Sequence, residues 1–77
     1  MSSNETQTER SMIIFVNGQE TQILNGHTAH DLLLDLGFET RPVAVEVNKE
    51  VIPRALLPSR VLCEHDQIEV VTLVGGG

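Results

Sequence analysis

The sequence predicts an α+β domain in which a mixed sheet of four to five strands packs on one main helix. Three observations lead to this prediction. One stretch has the apolar spacing of an amphipathic helix, two stretches have the composition of β-hairpins, and an alternating apolar run lies near the end of the chain. Because a single helix needs a sheet against which to bury its apolar stripe, a two-layer arrangement follows. The 77 residues are enough for one small domain.

The first hairpin is predicted over residues 12–24. Its first strand, MIIFV, is β-branched and aromatic, and Asn17-Gly18 supplies the positive φ angles that a tight turn needs. Strand character then resumes until Asn25-Gly26 marks a second turn. Residues 1–11 are polar and lack periodicity, so we expect a disordered extension there.

The main helix is predicted between Thr28 and Gly37. Thr28 is a favourable N-cap residue, and Asp31 follows it at the spacing of a capping box. Gly37 occupies the position at which a C′ glycine ends a helix. One apolar face is expected, formed by Ala29, Leu32, Leu33 and Leu36.

A second hairpin and a final strand follow the helix. The run VAVEV alternates as a half-buried strand does, Asn48-Lys49 turns the chain, and Pro53 stops the return strand. Residues 55–66 are expected to form a loop with a turn of helix. In the last strand, QIEVVTLV, Ile68 and Val70 should face one way and Glu69, Val71 and Leu73 the other. The order ββαβ(β)β suits a β-grasp arrangement over residues 12–74, and the pattern leaves the strand order open.

The charge of the chain restricts its partners. Five Lys and Arg residues stand against eleven Asp and Glu residues, which gives a formal net charge of −6. Nucleic acid is therefore not an expected partner, whereas a basic protein surface is. The sequence has no long apolar run and no signal-peptide pattern, so no membrane association is expected. A single unpaired cysteine fits a reducing compartment, and the cytoplasm is the expected location.

Four side chains outside the chain terminus carry possible metal or nucleophile chemistry. His27 precedes the helix, so His27 and His30 lack the i, i+4 geometry of a helical metal site, and His65 has no partner in sequence. We expect surface histidines and no metal site. Cys63 has only His65 nearby as an activating group, and we expect a small buried or half-buried residue there.

The chain ends in LVGGG, and two interpretations of this tail are open. Residues 74–77 have a reach of about 13 Å when extended. Gly75 and Gly76 lack Cβ atoms and fit a channel too narrow for other residues, and the ionised carboxylate of Gly77 is a competent nucleophile toward a phosphoanhydride. The alternative is a frayed chain end without function.

A possible docking surface lies beside the tail. If Ile68 and Val70 face the helix, then Val71 and Leu73 face away from it, and a partner could cover them together with Val74. The alternative is that the loop over residues 55–62 covers these side chains instead.

From residue 12 to residue 77 the chain resembles the sulfur-carrier proteins of thiamin biosynthesis, a ubiquitin-like β-grasp family. The matching stretches are VNGQE, GHTAHDLLLDLG, VAVEVNKEVIPR and DQIEVVTLVGGG. The third and fourth are the specific ones, because a terminal Gly-Gly is shared by other ubiquitin-like proteins. The sequence departs from the family at CEHD, where His65 stands in place of a more common glycine, and this leaves the turn type there open.

The resemblance implies a function for the tail. An E1-like enzyme that uses ATP and Mg²⁺ would adenylate Gly77, and a cysteine desulfurase or another donor would supply sulfur for its thiocarboxylate. The thiocarboxylate would then donate sulfur to thiazole synthase, with Gly75 and Gly76 threading into partner active sites. The chain itself would be a protein cosubstrate that binds no cofactor and has no active site.

Three alternatives to this function remain open from the sequence. The chain could be a sulfur carrier for molybdopterin or for another sulfur-containing product. It could be a ubiquitin-like modifier that is joined to lysines through the same carboxylate. It could also be a β-grasp interaction module with an inert tail.

Overall fold

Five strands form one mixed sheet in the computed structural model, which describes residues 10–38 and 41–73. The strand order across the sheet is β2-β1-β5-β3-β4. The bounds are β1 Ser11–Val16, β2 Gln19–Leu24, β3 Val43–Val47, β4 Glu50–Ile52 and β5 Gln67–Thr72, with helix α1 over Ala29–Leu36 and a 3-10 helix over Arg54–Ser59. The predicted α+β class and the mixed sheet are confirmed.

The last strand of the chain lies at the centre of the sheet. β5 runs parallel to β1, with Val16 opposite Ile68, and antiparallel to β3, with Val45 opposite Val70. Both hairpins turn where the sequence predicts, because Asn17-Gly18 and Asn48-Lys49 all have positive φ angles, as type I′ turns require. The first strand begins at Ser11, which pairs with Leu24, so the expected extension over residues 1–11 reaches one residue too far. Residues 1–9 lie outside the described residues.

Helix α1 begins and ends at the predicted residues. The Thr28 hydroxyl accepts a hydrogen bond from the Asp31 backbone N–H at 3.1 Å, and the Asp31 carboxylate accepts one from the Thr28 N–H at 3.0 Å. Gly37 closes the helix in the left-handed region, with φ of 84°. Ala29, Leu32 and Leu33 are buried as predicted. Leu36, which was predicted on the same apolar face, lies in the last turn and is 39% exposed.

The capping box makes the stability of the protein depend on pH. The hydrogen bond from the Thr28 backbone N–H lowers the pKa of Asp31 below its usual value. A carboxylate whose pKa is lower in the folded state stabilises the fold above its unfolded pKa of about 3.9, and this contribution is lost as the pH falls through the folded pKa. We therefore expect the free energy of unfolding of the wild type to fall more steeply below about pH 5 than that of Asp31→Asn, which has no proton to bind at this position.

Urea denaturation at a series of pH values measures this difference. Glu20→Gln, on an exposed residue of β2, is the matched control and should keep the wild-type slope. Equal slopes for the wild type and Asp31→Asn would contradict the stabilising role of the cap carboxylate.

The core lies between α1 and one face of the sheet. Alternate residues of the strands point toward the helix, and Ile14, Val47 and Ile68 are almost completely buried. Fifteen described hydrophobic residues form this cluster: Met12, Ile14, Val16, Ile23, Ala29, Leu32, Leu33, Val43, Val45, Val47, Ile52, Leu57, Leu62, Ile68 and Val70. The predicted alternation of the last strand is confirmed, since Ile68 and Val70 are buried whereas Glu69 and Val71 are exposed.

The asparagines of the two hairpin turns hold β5 from both sides. The Asn17 side chain accepts a hydrogen bond from the Val70 N–H at 2.8 Å and donates one to the Val70 carbonyl at 3.2 Å. The Asn48 side chain accepts from the Gln67 N–H at 2.9 Å and donates to the Asp66 carboxylate at 2.9 Å. The Asn17 amide therefore pairs with β5 as a strand residue would, and the Asn48 amide joins the first residue of β5 to the turn before it.

The turn before β5 is organised by a buried carboxylate. Asp66 is the one buried charged residue in the described part of the chain, and it accepts from the Cys63 N–H at 2.8 Å as well as from Asn48. His65 has a φ of 69°, so a histidine occupies a left-handed position that glycine fills without strain. The turn type that the sequence left open is thus one with a positive φ at residue 65.

The segment before this turn lies on the helix side of the sheet. The 3-10 helix over Arg54–Ser59 packs against α1 and buries Leu57 in the core. The expected turn of helix in this segment is confirmed. Neither helix in residues 10–38 and 41–73 combines the length and the apolar character needed to cross a membrane.

Candidate functional site

The candidate site is the end of β5, where the chain leaves the sheet toward its terminus. β5 ends at Thr72, and the next residue is still held, because the Leu73 N–H donates to the Pro42 carbonyl at 2.9 Å. The predicted attachment residue Gly77, the tail residues Gly75 and Gly76, and the docking residue Val74 lie outside the described residues. The structure therefore describes the base of the tail and the sheet face around it.

Two of the predicted docking residues lie on the sheet face opposite the helix. Val71 is 54% exposed and Leu73 is 50% exposed, whereas Val70, which precedes Val71, is buried. The segment over residues 55–62 does not cover them, because its 3-10 helix contacts α1 on the other side of the sheet. The prediction that Val71 and Leu73 face away from the helix is confirmed, and their docking role stays a prediction.

The strand register places further side chains on the same face. Ala44 is paired with Val71, Glu46 with Glu69, and Val51 of the edge strand with Glu46. Val51 is 62% exposed, the largest exposed fraction among the large hydrophobic side chains of the described residues. We call the surface formed by Val51, Glu46, Glu69, Val71 and Leu73 the open face.

Three of these residues were not singled out from the sequence. Glu46 and Val51 belong to the predicted second hairpin, whose position next to β5 was not known, so nothing in the sequence placed them on the same face as Val71. Glu69 is predicted to face the same way as Val71 by alternation alone. The missing information is the pairing of β3 with β5, which the structure provides.

The histidines and the cysteine are distributed around the fold. His27 is 2.8 Å from the Asp35 carboxylate, and His65 is 3.6 Å from Glu64. Within residues 10–38 and 41–73, no three His, Cys, Asp or Glu side chains come together as metal ligands would. The expectation of a buried or half-buried Cys63 is wrong, because this free thiol is exposed.

Comparisons with known proteins identify relatives of this chain. A family model described as the ThiS family matches residues 8–77. A thiazole synthase of Magnetococcus marinus is 47% identical over 66 residues, which are 86% of this chain and 20% of that protein. The sulfur carrier protein ThiS of Thermus thermophilus is 37% identical over 65 residues, which are 84% of this chain and 100% of that protein.

A solved structure agrees with the fold. The crystal structure of the thiamine biosynthesis protein ThiS of Geobacter metallireducens has a TM-score of 0.74 and 28% identity, and the match covers 86% of this chain and 100% of that one. The chain spans about one fifth of the length of the thiazole synthases that it matches.

Proposed function

Because the chain belongs to the ThiS family, we propose that it is a sulfur carrier for the thiazole part of thiamin biosynthesis. The observation that carries this proposal is the match of its whole β-grasp domain to full-length sulfur carrier proteins named ThiS. The central strand of the domain leads directly to the three terminal glycines, which is the arrangement that a carrier needs to present its carboxylate.

The proposed chemistry takes place at the terminal carboxylate. A carboxylate oxygen of Gly77 attacks the α-phosphorus of ATP and pyrophosphate leaves, which gives an acyl-adenylate. Hydrosulfide-level sulfur from the donor then attacks the carbonyl carbon of the adenylate and AMP leaves, and loss of the S–H proton gives the thiocarboxylate. Gly75 and Gly76 carry this carbon into partner active sites because they have no side chain to obstruct a narrow channel.

The carrier is proposed to be a cosubstrate, without an active site of its own. In this scheme an E1-like enzyme binds ATP and Mg²⁺ and performs the adenylation, and a cysteine desulfurase or another donor supplies sulfur. The partner that receives the sulfur is thiazole synthase. This choice is supported by thiazole synthases of Magnetococcus marinus and Paramagnetospirillum magneticum, which contain a segment similar to this chain.

The docking surface for these partners is proposed to be Val71, Leu73 and Val74. Val71 and Leu73 expose apolar side chains beside the base of the tail, and partners that hold the tail must approach this end of β5. The reactions use soluble metabolites, and we propose the cytoplasm as the location.

The intact mass of the chain tests the proposed function. The protein is isolated from cells that also express its adenylating enzyme and a sulfur donor, and is compared with protein from cells that lack the enzyme. The proposal predicts a species in which sulfur has replaced one oxygen, located at Gly77 by fragmentation. An unchanged mass together with no ATP-dependent adenylate would contradict it, and amide-linked protein adducts would favour a modifier instead.

A further inference from the structure

The open face contains a pair of like charges that the isolated fold leaves unbalanced. Glu46 and Glu69 stand directly opposite each other on β3 and β5. Directly opposite residues of an antiparallel pair have Cβ atoms about 4.5–5.5 Å apart, and like charges at such a pair destabilise the sheet. A neutral residue at either position would make the isolated domain more stable.

No cation of the described residues forms an ion pair with Glu46 or Glu69. The ion pairs in residues 10–38 and 41–73 join His27 to Asp35, Arg60 to Glu50, and His65 to Glu64. None of them involves either carboxylate of the pair. The two side chains are therefore available to a cation from outside the chain.

Apolar side chains border the acidic pair on two sides. Val51 is the cross-strand neighbour of Glu46, and Val71 lies two residues from Glu69 on the same strand and face. Both are more than half exposed. A partner that covers these valines would exclude water from the carboxylates, and a charged hydrogen bond made there would gain strength.

We propose that the open face binds an arginine of the adenylating enzyme, with the guanidinium between Glu46 and Glu69 and apolar partner residues over Val51 and Val71. Arginine fits this position because its planar fork of five donors can serve two carboxylates at once. A second copy of the chain is the wrong occupant, because each copy has a net charge of −6 and would bring a second acidic pair against the first.

The position of the pair relative to the tail fits this occupant. Glu69 precedes Leu73 by four residues, which is about 13 Å of strand, and residues 74–77 have a further reach of about 13 Å. One enzyme can therefore hold the acidic pair and the terminal carboxylate at the same time. The choice of the adenylating enzyme rests on the proposed function.

The test compares two double variants that remove the same charge. Glu46→Gln with Glu69→Gln neutralises the pair, whereas Asp35→Asn with Glu50→Gln neutralises two carboxylates on the helix side of the sheet. Binding of each chain to the adenylating enzyme is measured without ATP, and adenylate formation is then measured over a range of carrier concentrations at low and high salt.

The proposal predicts that neutralising the pair raises Kd and KM on the order of tenfold, leaves kcat unchanged and weakens the salt dependence of KM. The same variant should require more urea to unfold than the wild type, because the repulsion between β3 and β5 is gone. The control variant should keep the wild-type Kd and KM.

Failure of this inference differs from failure of the proposed function. If the wild type and the Glu46→Gln, Glu69→Gln variant have the same KM for adenylation, the inference alone is overturned. The same holds if the control variant shows as large a rise in KM as the pair variant. A wild-type chain that binds the enzyme and gives no adenylate contradicts the proposed function, while the difference in Kd still decides the inference. Absence of binding by the wild type overturns both.

Discussion

Replacing Gly76 with valine is expected to slow adenylation of the chain by about 100-fold or more, because a displacement of about 1 Å at a reacting group has costs of that size. A valine side chain adds an isopropyl group with a restricted χ1 to a segment that must enter a narrow channel in the proposed function. The carboxylate of Gly77 would then stop short of the α-phosphate of ATP. The rate of adenylate formation by the partner enzyme measures this effect.

The experiment must distinguish an effect of the substitution on folding from an effect on the reach of the tail. Gly76→Val should unfold at the same urea concentration as the wild type, since residue 76 follows the last residue of β5 by four positions. Gly76→Ala, which adds a single methyl group, should fall between the wild type and the valine variant. If Gly76→Val is adenylated at the wild-type rate, the channel explanation of the glycine tail is wrong.

Replacing Asn48 with alanine is expected to destabilise the domain by about 3 kcal/mol, which is a large part of the stability of so small a domain. The variant loses the hydrogen bond to the Gln67 N–H and the one to the Asp66 carboxylate. It also places an alanine at a φ of 53°, in the left-handed region that L-residues with a Cβ avoid. Urea denaturation measures the change in the free energy of unfolding.

A glycine at the same position separates the two causes. Asn48→Gly adopts the positive φ without strain, so it should lose only the hydrogen bonds and be destabilised by about 2 kcal/mol. The difference between the alanine and glycine variants then gives the cost of the left-handed backbone. Wild-type stability in Asn48→Gly would mean that the side-chain amide does not contribute to holding β5.

Local features of this chain were predictable because their causes lie within a few residues. Thr28 and Asp31 cap the helix across three positions, and Asn17-Gly18 turns the hairpin by itself. Helical spacing predicts which side Leu36 faces but not how far it is covered, and this residue of the last turn is 39% exposed. The prediction for Cys63 was wrong because it rested on the usual burial of free cysteines. In this turn the backbone N–H of Cys63 donates to Asp66, and its thiol is exposed.

Long-range features were not predictable, because they depend on which strands become neighbours. The parallel pairing of β1 with β5 joins residues about fifty positions apart, and no local pattern specifies it. The bonds between Asn17 and Val70 depend on the same pairing. In the candidate site, alternation placed Val71 and Leu73 on the outer face, whereas the acidic pair of Glu46 and Glu69 emerged only from the register of β3 against β5.

The central position of β5 determines how the domain responds to a pull on its terminus. In the proposed function, a partner that draws the tail into its active site would apply force along the axis of β5, which is hydrogen-bonded to β1 on one side and to β3 on the other. The load is therefore a shear that all of these bonds share, whereas an edge strand pulled sideways would unzip one bond at a time. The side-chain amides of Asn17 and Asn48 add hydrogen bonds to β5 on both sides. Extraction of β5 by its end would therefore require the hydrogen bonds to both neighbouring strands to break together, so the strand that carries the tail is also the one most strongly held in the sheet.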